Sequence, residues 1–239
     1  MNHGENPNFQ AKEDENEWNI RIKGIVFGLI PVVIMGGVLF GSSGTLFWPM
    51  AWVILGTLFL ATTLVTLFCS PDLITERMVK KPGVMKWDSY LVTVMNVMGF
   101  LTLFVAGLDM RFNWTGEMVF SIQIVALCFF LSGYLIFSWA MLSNRFFSTV
   151  VRIQEEKGHY AIMSGPYRFI RHPGYMGFIL IVLAQPLMLG SLWALFPGVV
   201  TAALFVVRTR KEDDVLVSEL NGYSMYIQEV KYRLIPGIW

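Results

Sequence analysis

The sequence predicts an all-α, polytopic membrane protein of about six transmembrane helices. Three observations predict it. The chain of 239 residues is 55% hydrophobic and 15% charged, with a mean hydropathy of +0.56. Its apolar residues fall into runs near the length of about 20 residues that a helix needs to cross a bilayer. Of the 18 Lys and Arg residues, all but Arg111 fall on one side of the layout those runs define.

The runs lie at roughly 24–41, 47–68, 89–108, 117–142, 174–190 and 191–207. Helices and closed barrels are the structures that satisfy every backbone polar group in lipid. These runs are too long and too evenly apolar for barrel strands. An even number of spans puts both termini on one side, and the excess of Lys and Arg there marks that side as cytoplasmic. The net charge of +1 gives no reason to expect a nucleic-acid partner. Cys69 and Cys128 stand far apart, so neither a disulfide framework nor a metal site is expected.

Residues 1–19 are polar and locally acidic, and read as a disordered tail. The first run lacks a small-residue cleavage site and reads as a retained span. Residues 20–142 then form a four-span N-terminal region. Gly41-Ser42-Ser43-Gly44-Thr45 is short and uncharged, so the first two spans form a hairpin. The cytoplasmic link after them runs from Ser70 through Lys80-Lys81-Pro82-Gly83 to Asp88, with Trp87 as an interface anchor. Within it Glu76-Arg77 reads as a surface pair, with covering of the site from the side as the alternative. Asn96 in span three and Gln123 in span four are intramembrane amides, expected to bond a neighbouring helix.

Residues 143–239 differ in character. A cytoplasmic loop of some thirty residues, 143–173, is long for a short-looped protein and reads as functional. It ends in Ser164-Gly165-Pro166-Tyr167-Arg168-Phe169-Ile170-Arg171-His172-Pro173-Gly174-Tyr175-Met176-Gly177. Proline disfavours helical geometry in the residue before it and suits the first helical position. His172 is therefore the expected cap and Pro173 the start of span five. That helix N-terminus, beside Arg168 and Arg171, suits a carboxylate or phosphate. Leu189-Gly190-Ser191 is so short that spans five and six must be antiparallel. Arg208, Arg210, Glu212 and Asp213 at the end of span six then return to the motif. Leu216, Leu220, Tyr223, Ile227 and Val230 recur at helical spacing and predict an amphipathic interfacial helix, ended by Pro236. No glycine-rich dinucleotide or phosphate loop is present.

Gly158 through Gly177, together with Arg208, Glu212-Asp213, Leu216, Asn221-Gly222-Tyr223, Tyr226 and Val230 through Pro236, resembles the isoprenylcysteine carboxyl methyltransferase family. The resemblance covers roughly 144–239, and the Pro71 to Asp88 link is similar to the family's bacterial members. It implies a multi-pass membrane methyltransferase, in a bacterial or archaeal plasma membrane, that uses S-adenosylmethionine and no metal. Gln154, His159, Ile162, Gly165, Tyr167, His172, Pro173, Tyr175, Glu212 and Asp213 would bind the cofactor. Arg208 and Glu212 would place the acceptor, with Arg208 pairing its carboxylate. Asp213 stands where a second Glu is commoner, and Ala161 where eukaryotic members often have Leu. The resemblance implies a lipidic or small hydrophobic acceptor, first an isoprenylcysteine-type carboxylate, with a phospholipid amine or a thiol as alternatives. A sterol-type reductase using NADPH shares a similar Arg-His-Pro-x-Tyr ending, and a non-catalytic scaffold is a third reading.

Overall fold

The computed structural model describes residues 7–79 and 83–239, with side chains from residue 16. Lys80, Lys81 and Pro82 of the second cytoplasmic link lie outside the described residues. The described residues form eight α-helices: α1 (Pro7–Ser43), α2 (Pro49–Phe68), α3 (Pro71–Met78), α4 (Lys86–Phe112), α5 (Phe120–Ser143), α6 (Pro173–Met188), α7 (Leu195–Glu219) and α8 (Tyr223–Glu229). Two 3-10 turns, Glu155–Lys157 and Gly165–Arg168, punctuate the loop between α5 and α6.

Four helices are long and apolar enough to cross a membrane: Asn16–Ser43 within α1, then α2, α4 and α5. The fifth expected run is the apolar helix α6, of 16 residues. The sixth lies within α7, whose 25 residues run past Arg208 and Asp213 to Glu219 without a break. The interfacial helix expected after Arg208 is thus divided. Its first half continues α7, and its second half is the separate α8, entered through Gly222 in the left-handed region at φ 82°. The polar tail also differs from expectation, being helical from Pro7 as an extension of α1.

Local chemistry sets several ends. Pro173 is the first residue of α6 and His172 its cap, as the proline's missing N–H favours. Ser70 caps α3 by accepting from the Leu73 N–H at 3.4 Å, with Pro71 first in the helix. Arg21 of α1 donates to the terminal carbonyls of α2 at Thr66 (2.9 Å) and Leu67 (2.6 Å), and to Cys69 (3.0 Å) beyond it. A cation there both pairs orphan carbonyls and meets the negative end of the helix dipole.

The main core joins Leu39 of α1, Ile54 of α2, Leu103 of α4, Phe130 of α5, and Ile181 and Met188 of α6. α5 packs most extensively on α6. A Cβ on Gly133 would lie 2.7 Å from the Gly177 carbonyl, and one on Gly177 would lie 2.7 Å from the Gly133 carbonyl. The two glycines let the backbones touch, the packing that membrane helices use when lipid supplies no hydrophobic drive. At the end remote from the motif, buried Asp109 of α4 accepts from the Thr115 N–H at 2.7 Å and from the Ser191 hydroxyl at 2.5 Å. This ties α4 to the turn between α6 and α7. Asn96 is exposed on the outer surface of α4, and its side chain bonds no neighbour among the described residues.

Candidate functional site

Three buried carboxylates hold the long loop against the helices. Asp88, in the first turn of α4, is wholly buried. It accepts from Arg208 Nε (2.7 Å) and Nη2 (3.1 Å), and from the Val151 N–H (2.7 Å). Arg208 Nη2 also donates to the Thr149 carbonyl at 2.9 Å. Glu76 of α3 accepts from Arg152 Nε (3.1 Å) and Lys157 Nζ (2.8 Å), and Arg152 also holds Glu156 (2.8 Å). Burial would raise the Glu76 carboxyl, but the hydrogen bonds from Lys157 and Arg152 outweigh it and hold the pKa low. Glu76 is therefore a loop anchor, not the surface partner of Arg77 that its neighbour in sequence suggests.

Asp213 is the third carboxylate. Its oxygens accept from Arg171 Nε (2.9 Å) and Nη2 (2.8 Å), His172 Nε2 (3.2 Å), the Tyr223 hydroxyl (2.9 Å) and Arg233 Nε (2.8 Å). Desolvation opposes its charge, yet the donors from His172 and Arg171 hold it well below the usual carboxylate range. The motif backbone adds to this joint. Arg171 and His172 N–H groups donate to the Tyr232 and Arg233 carbonyls, both at 2.9 Å. The Tyr226 hydroxyl donates to the Tyr167 carbonyl at 2.6 Å. The C-terminal segment thus buttresses the motif, and the anion that Arg171 faces is the Asp213 carboxylate of the protein itself.

Around this frame lies a cavity of about 100 Å³. His159, Ile162, Tyr167, His172, Tyr175 and Glu212, all named above as cofactor residues, line it together. Phe146, Phe147, Asn144, Tyr160, Tyr223 and Tyr226 line it too, and sequence reasoning assigned them no site role. Its faces are aromatic: the His159 ring lies 4.5 Å from Phe146, and His172 stacks on Tyr175 with the planes 2° apart. Glu212 accepts from the Tyr175 hydroxyl. Asn144 donates to the Tyr167 hydroxyl at 3.2 Å. The Gln154 N–H donates to His159 Nδ1 at 3.4 Å, which puts the ring proton on Nε2. Burial, with Arg152 nearby, lowers the His159 pKa to about 4, so its ring is neutral at pH 7.

The remaining expected residues stand behind that lining. Arg208 stacks against Tyr175, its Cζ 5.1 Å from the ring centroid, with Nε and Nη2 held by Asp88. Two of its three nitrogens are therefore engaged within the protein and not presented to an acceptor. Asp213 is enclosed by its five donors. Gly165, at φ 59°, packs on α5, where a Cβ would lie 2.3 Å from the Ser143 hydroxyl oxygen. Pro173 is wholly buried at the helix start. Gln154 is also wholly buried and donates from Nε2 to the Phe146 carbonyl at 2.7 Å. Its Oε1 has no partner among the described residues.

A second cavity, of about 310 Å³, opens among α1, α2, α3, α5 and α6. Phe27, Pro31, Leu58, Phe137 and Phe178 give it apolar walls, and Arg77 faces into it. Phe147 lies between the cavities. It lines the first, stands edge-on to Phe137 of the second with centroids 5.5 Å apart, and carries Arg77 Cζ 5.8 Å from its own centroid.

Residues 124–218, less than half the chain, match the family model described as the isoprenylcysteine carboxyl methyltransferase (ICMT) family. A protein-S-isoprenylcysteine O-methyltransferase of Schizosaccharomyces pombe is 32% identical over 116 residues, which cover 47% of this chain and 49% of that protein. A probable protein-S-isoprenylcysteine O-methyltransferase of Oryza sativa subsp. indica is 43% identical over 47 residues, covering 20% of this chain and 25% of that protein. The chain spans about half the length of the first of these relatives and a quarter of the second.

Proposed function

We propose, from the match of residues 124–218 to the isoprenylcysteine carboxyl methyltransferase family model, that the protein methylates the carboxylate of a prenylated hydrophobic acceptor using S-adenosylmethionine. The observation that carries the reading is a single aromatic cavity. The motif turn, the start of α6 and Glu212 of α7 all meet in it, and all lie within the matched residues.

The groups present fit that cofactor. Aromatic faces at Phe146, Tyr167 and Tyr175 suit a sulfonium and a planar base. Glu212 suits an ammonium group. When bound, S-adenosylmethionine supplies a methyl group on a positively charged sulfur. The protein's task is alignment and exclusion of water, and such positioning can supply about 7–11 kcal/mol of a barrier. A carboxylate acceptor is already ionised at neutral pH and needs no base. That suits a site where His172 is engaged by Asp213 and His159 is neutral. Arg208 acts as a positioning residue, placing positive charge behind Tyr175 and Glu212.

In this reading α1, α2, α4 and α5 cross the bilayer, and the α6–α7 hairpin completes six crossings. α6 alone is about 24 Å long at 1.5 Å per residue, short of a 30 Å hydrocarbon core. Its N-terminus then sits at a recessed cytoplasmic face, which the excess of Lys and Arg assigns to the cytosol together with both chain termini.

The test is transfer of labelled methyl by the full-length protein to N-acetyl-S-farnesylcysteine, phosphatidylethanolamine and methanethiol. Base-labile label on the prenylcysteine is expected. Label on the amine or the thiol moves the protein to another acceptor. Binding of NADPH but not S-adenosylhomocysteine overturns the methyltransferase reading.

A further inference from the structure

Arg77 is, among the described residues, a partly buried arginine with neither a carboxylate partner nor a hydrogen bond. The three buried arginines, Arg152, Arg171 and Arg208, each hold a carboxylate. No carboxylate of the described residues comes within 4.0 Å of Arg77; its close polarisable neighbour is the Phe147 ring. Glu76, next to it in sequence, turns the opposite way, to Arg152 and Lys157. A guanidinium stays charged at any physiological pH, and withdrawing it from water without a partner is costly. The cavity it faces is mostly apolar, with hydroxyl-bearing side chains at Thr62, Thr66, Tyr134, Ser138 and Thr149 and, among the described residues, no other charged residue in its lining. One guanidinium in an apolar chamber matches one kind of guest, a singly charged anionic head on an apolar chain. The planar fork of an arginine matches a carboxylate in particular.

The geometry points to Arg77 as the residue that receives the acceptor's carboxylate, with the prenyl chain in the cavity among α1, α2, α5 and α6. This rests on the methyltransferase reading above, and gives Arg77 the part that the family resemblance gave to Arg208. Phe147 supports it. Its ring reaches the cofactor cavity, where Gly174 leaves it room: a Cβ there would lie 2.8 Å from Phe147 Cε2. An anion on Arg77 is thus one aromatic ring away from the cofactor cavity, and turning that ring joins the two spaces. In the transfer, a carboxylate oxygen bonds to the methyl carbon. The carbon–sulfur bond breaks, and its electron pair stays on sulfur, leaving a neutral thioether. The product is a neutral ester, so Arg77 loses its partner and the product is released.

The experiment measures equilibrium binding of N-acetyl-S-farnesylcysteine and of its methyl ester to the full-length protein in phosphatidylcholine nanodiscs. Wild type is expected to prefer the acid by about tenfold to a hundredfold, the range of a charge-assisted hydrogen bond. Arg77→Gln should abolish that preference by weakening the acid alone, leaving the ester and S-adenosylhomocysteine binding unchanged. Arg77→Lys should restore part of it. Equal binding of acid and ester by wild type, or a preference that survives in Arg77→Gln, overturns the assignment. Displacement of the acid by phosphatidylglycerol at similar concentration would give the site to a bilayer lipid and overturn it too. The two readings fail separately. Methyl transfer with an intact preference in Arg77→Gln leaves the enzyme and removes Arg77. An Arg77-dependent preference without methyl transfer leaves the anion site and removes the enzyme.

Discussion

Asp88 is wholly buried, and its charge is matched by Arg208 and the Val151 N–H. Replacing one partner of such a pair strands the other, which typically costs about 3–5 kcal/mol. Asp88→Asn should lower unfolding stability in detergent by about that much and weaken S-adenosylhomocysteine binding, because Arg208 backs Tyr175 in the cavity. Adding Arg208→Met should recover part of the stability, a coupling that a double-mutant cycle reads directly. His159 gives a pH signature. Its folded pKa of about 4 lies below the ordinary 6.5, so between those values the folded protein holds fewer protons than the unfolded chain. The neutral ring's contribution is complete above pH 6.5 and is lost as pH falls toward 4. Wild-type stability should therefore drop more steeply over that interval than that of His159→Gln. Parallel slopes would show that the ring does not titrate as its burial requires.

At the scale of elements, the α5–α6 crossing decides where the motif sits. Gly133 and Gly177 bring the two backbones together four residues from Pro173 and two from Tyr175 on the α6 side. Gly177→Ala forces a Cβ to within 2.8 Å of the Phe137 nitrogen, and overpacking of this kind costs about 1–3 kcal/mol. Chemical denaturation should show that loss, with a parallel fall in S-adenosylhomocysteine affinity as the start of α6 shifts. The apolar runs, the Pro173 start of α6 and the gathering of the motif with Glu212 were legible in the sequence, because each follows from local composition or a short connection. The ion pairs were not. Arg208 and Asp88 lie 120 positions apart, and nothing periodic links them. Glu76 and Arg77 read as one surface pair, yet neighbours on a helix point about 100° apart, and here one faces the loop and the other the apolar cavity. Residues 7–19 lack an apolar stripe of their own and are helical by continuation of α1.

For the molecule as a whole, function depends on which side of the membrane the aromatic cavity faces. Lys and Arg gather at the motif end, while the other end carries Arg111 and the Asp109–Thr115–Ser191 clasp. A positive excess sets topology toward the cytosol, where S-adenosylmethionine would be drawn. The arrangement makes a two-sided prediction. Cys69→Ser with Cys128→Ser removes the native thiols, and exposed Glu117 and Ser224 then serve as single-cysteine positions. In right-side-out vesicles a membrane-impermeant maleimide should label Glu117→Cys and spare Ser224→Cys; in inverted vesicles the pattern should reverse. Labelling of both from the same side would mean an even number of crossings among α5, α6 and α7, as when the hairpin crosses only once, and would remove the six-span reading. Labelling of Ser224→Cys from the outside alone would place the cavity on the face away from its cofactor. Either result would reach further than topology, since the proposed site would draw a polar cofactor from water and a prenyl chain from lipid and could work only where both can enter.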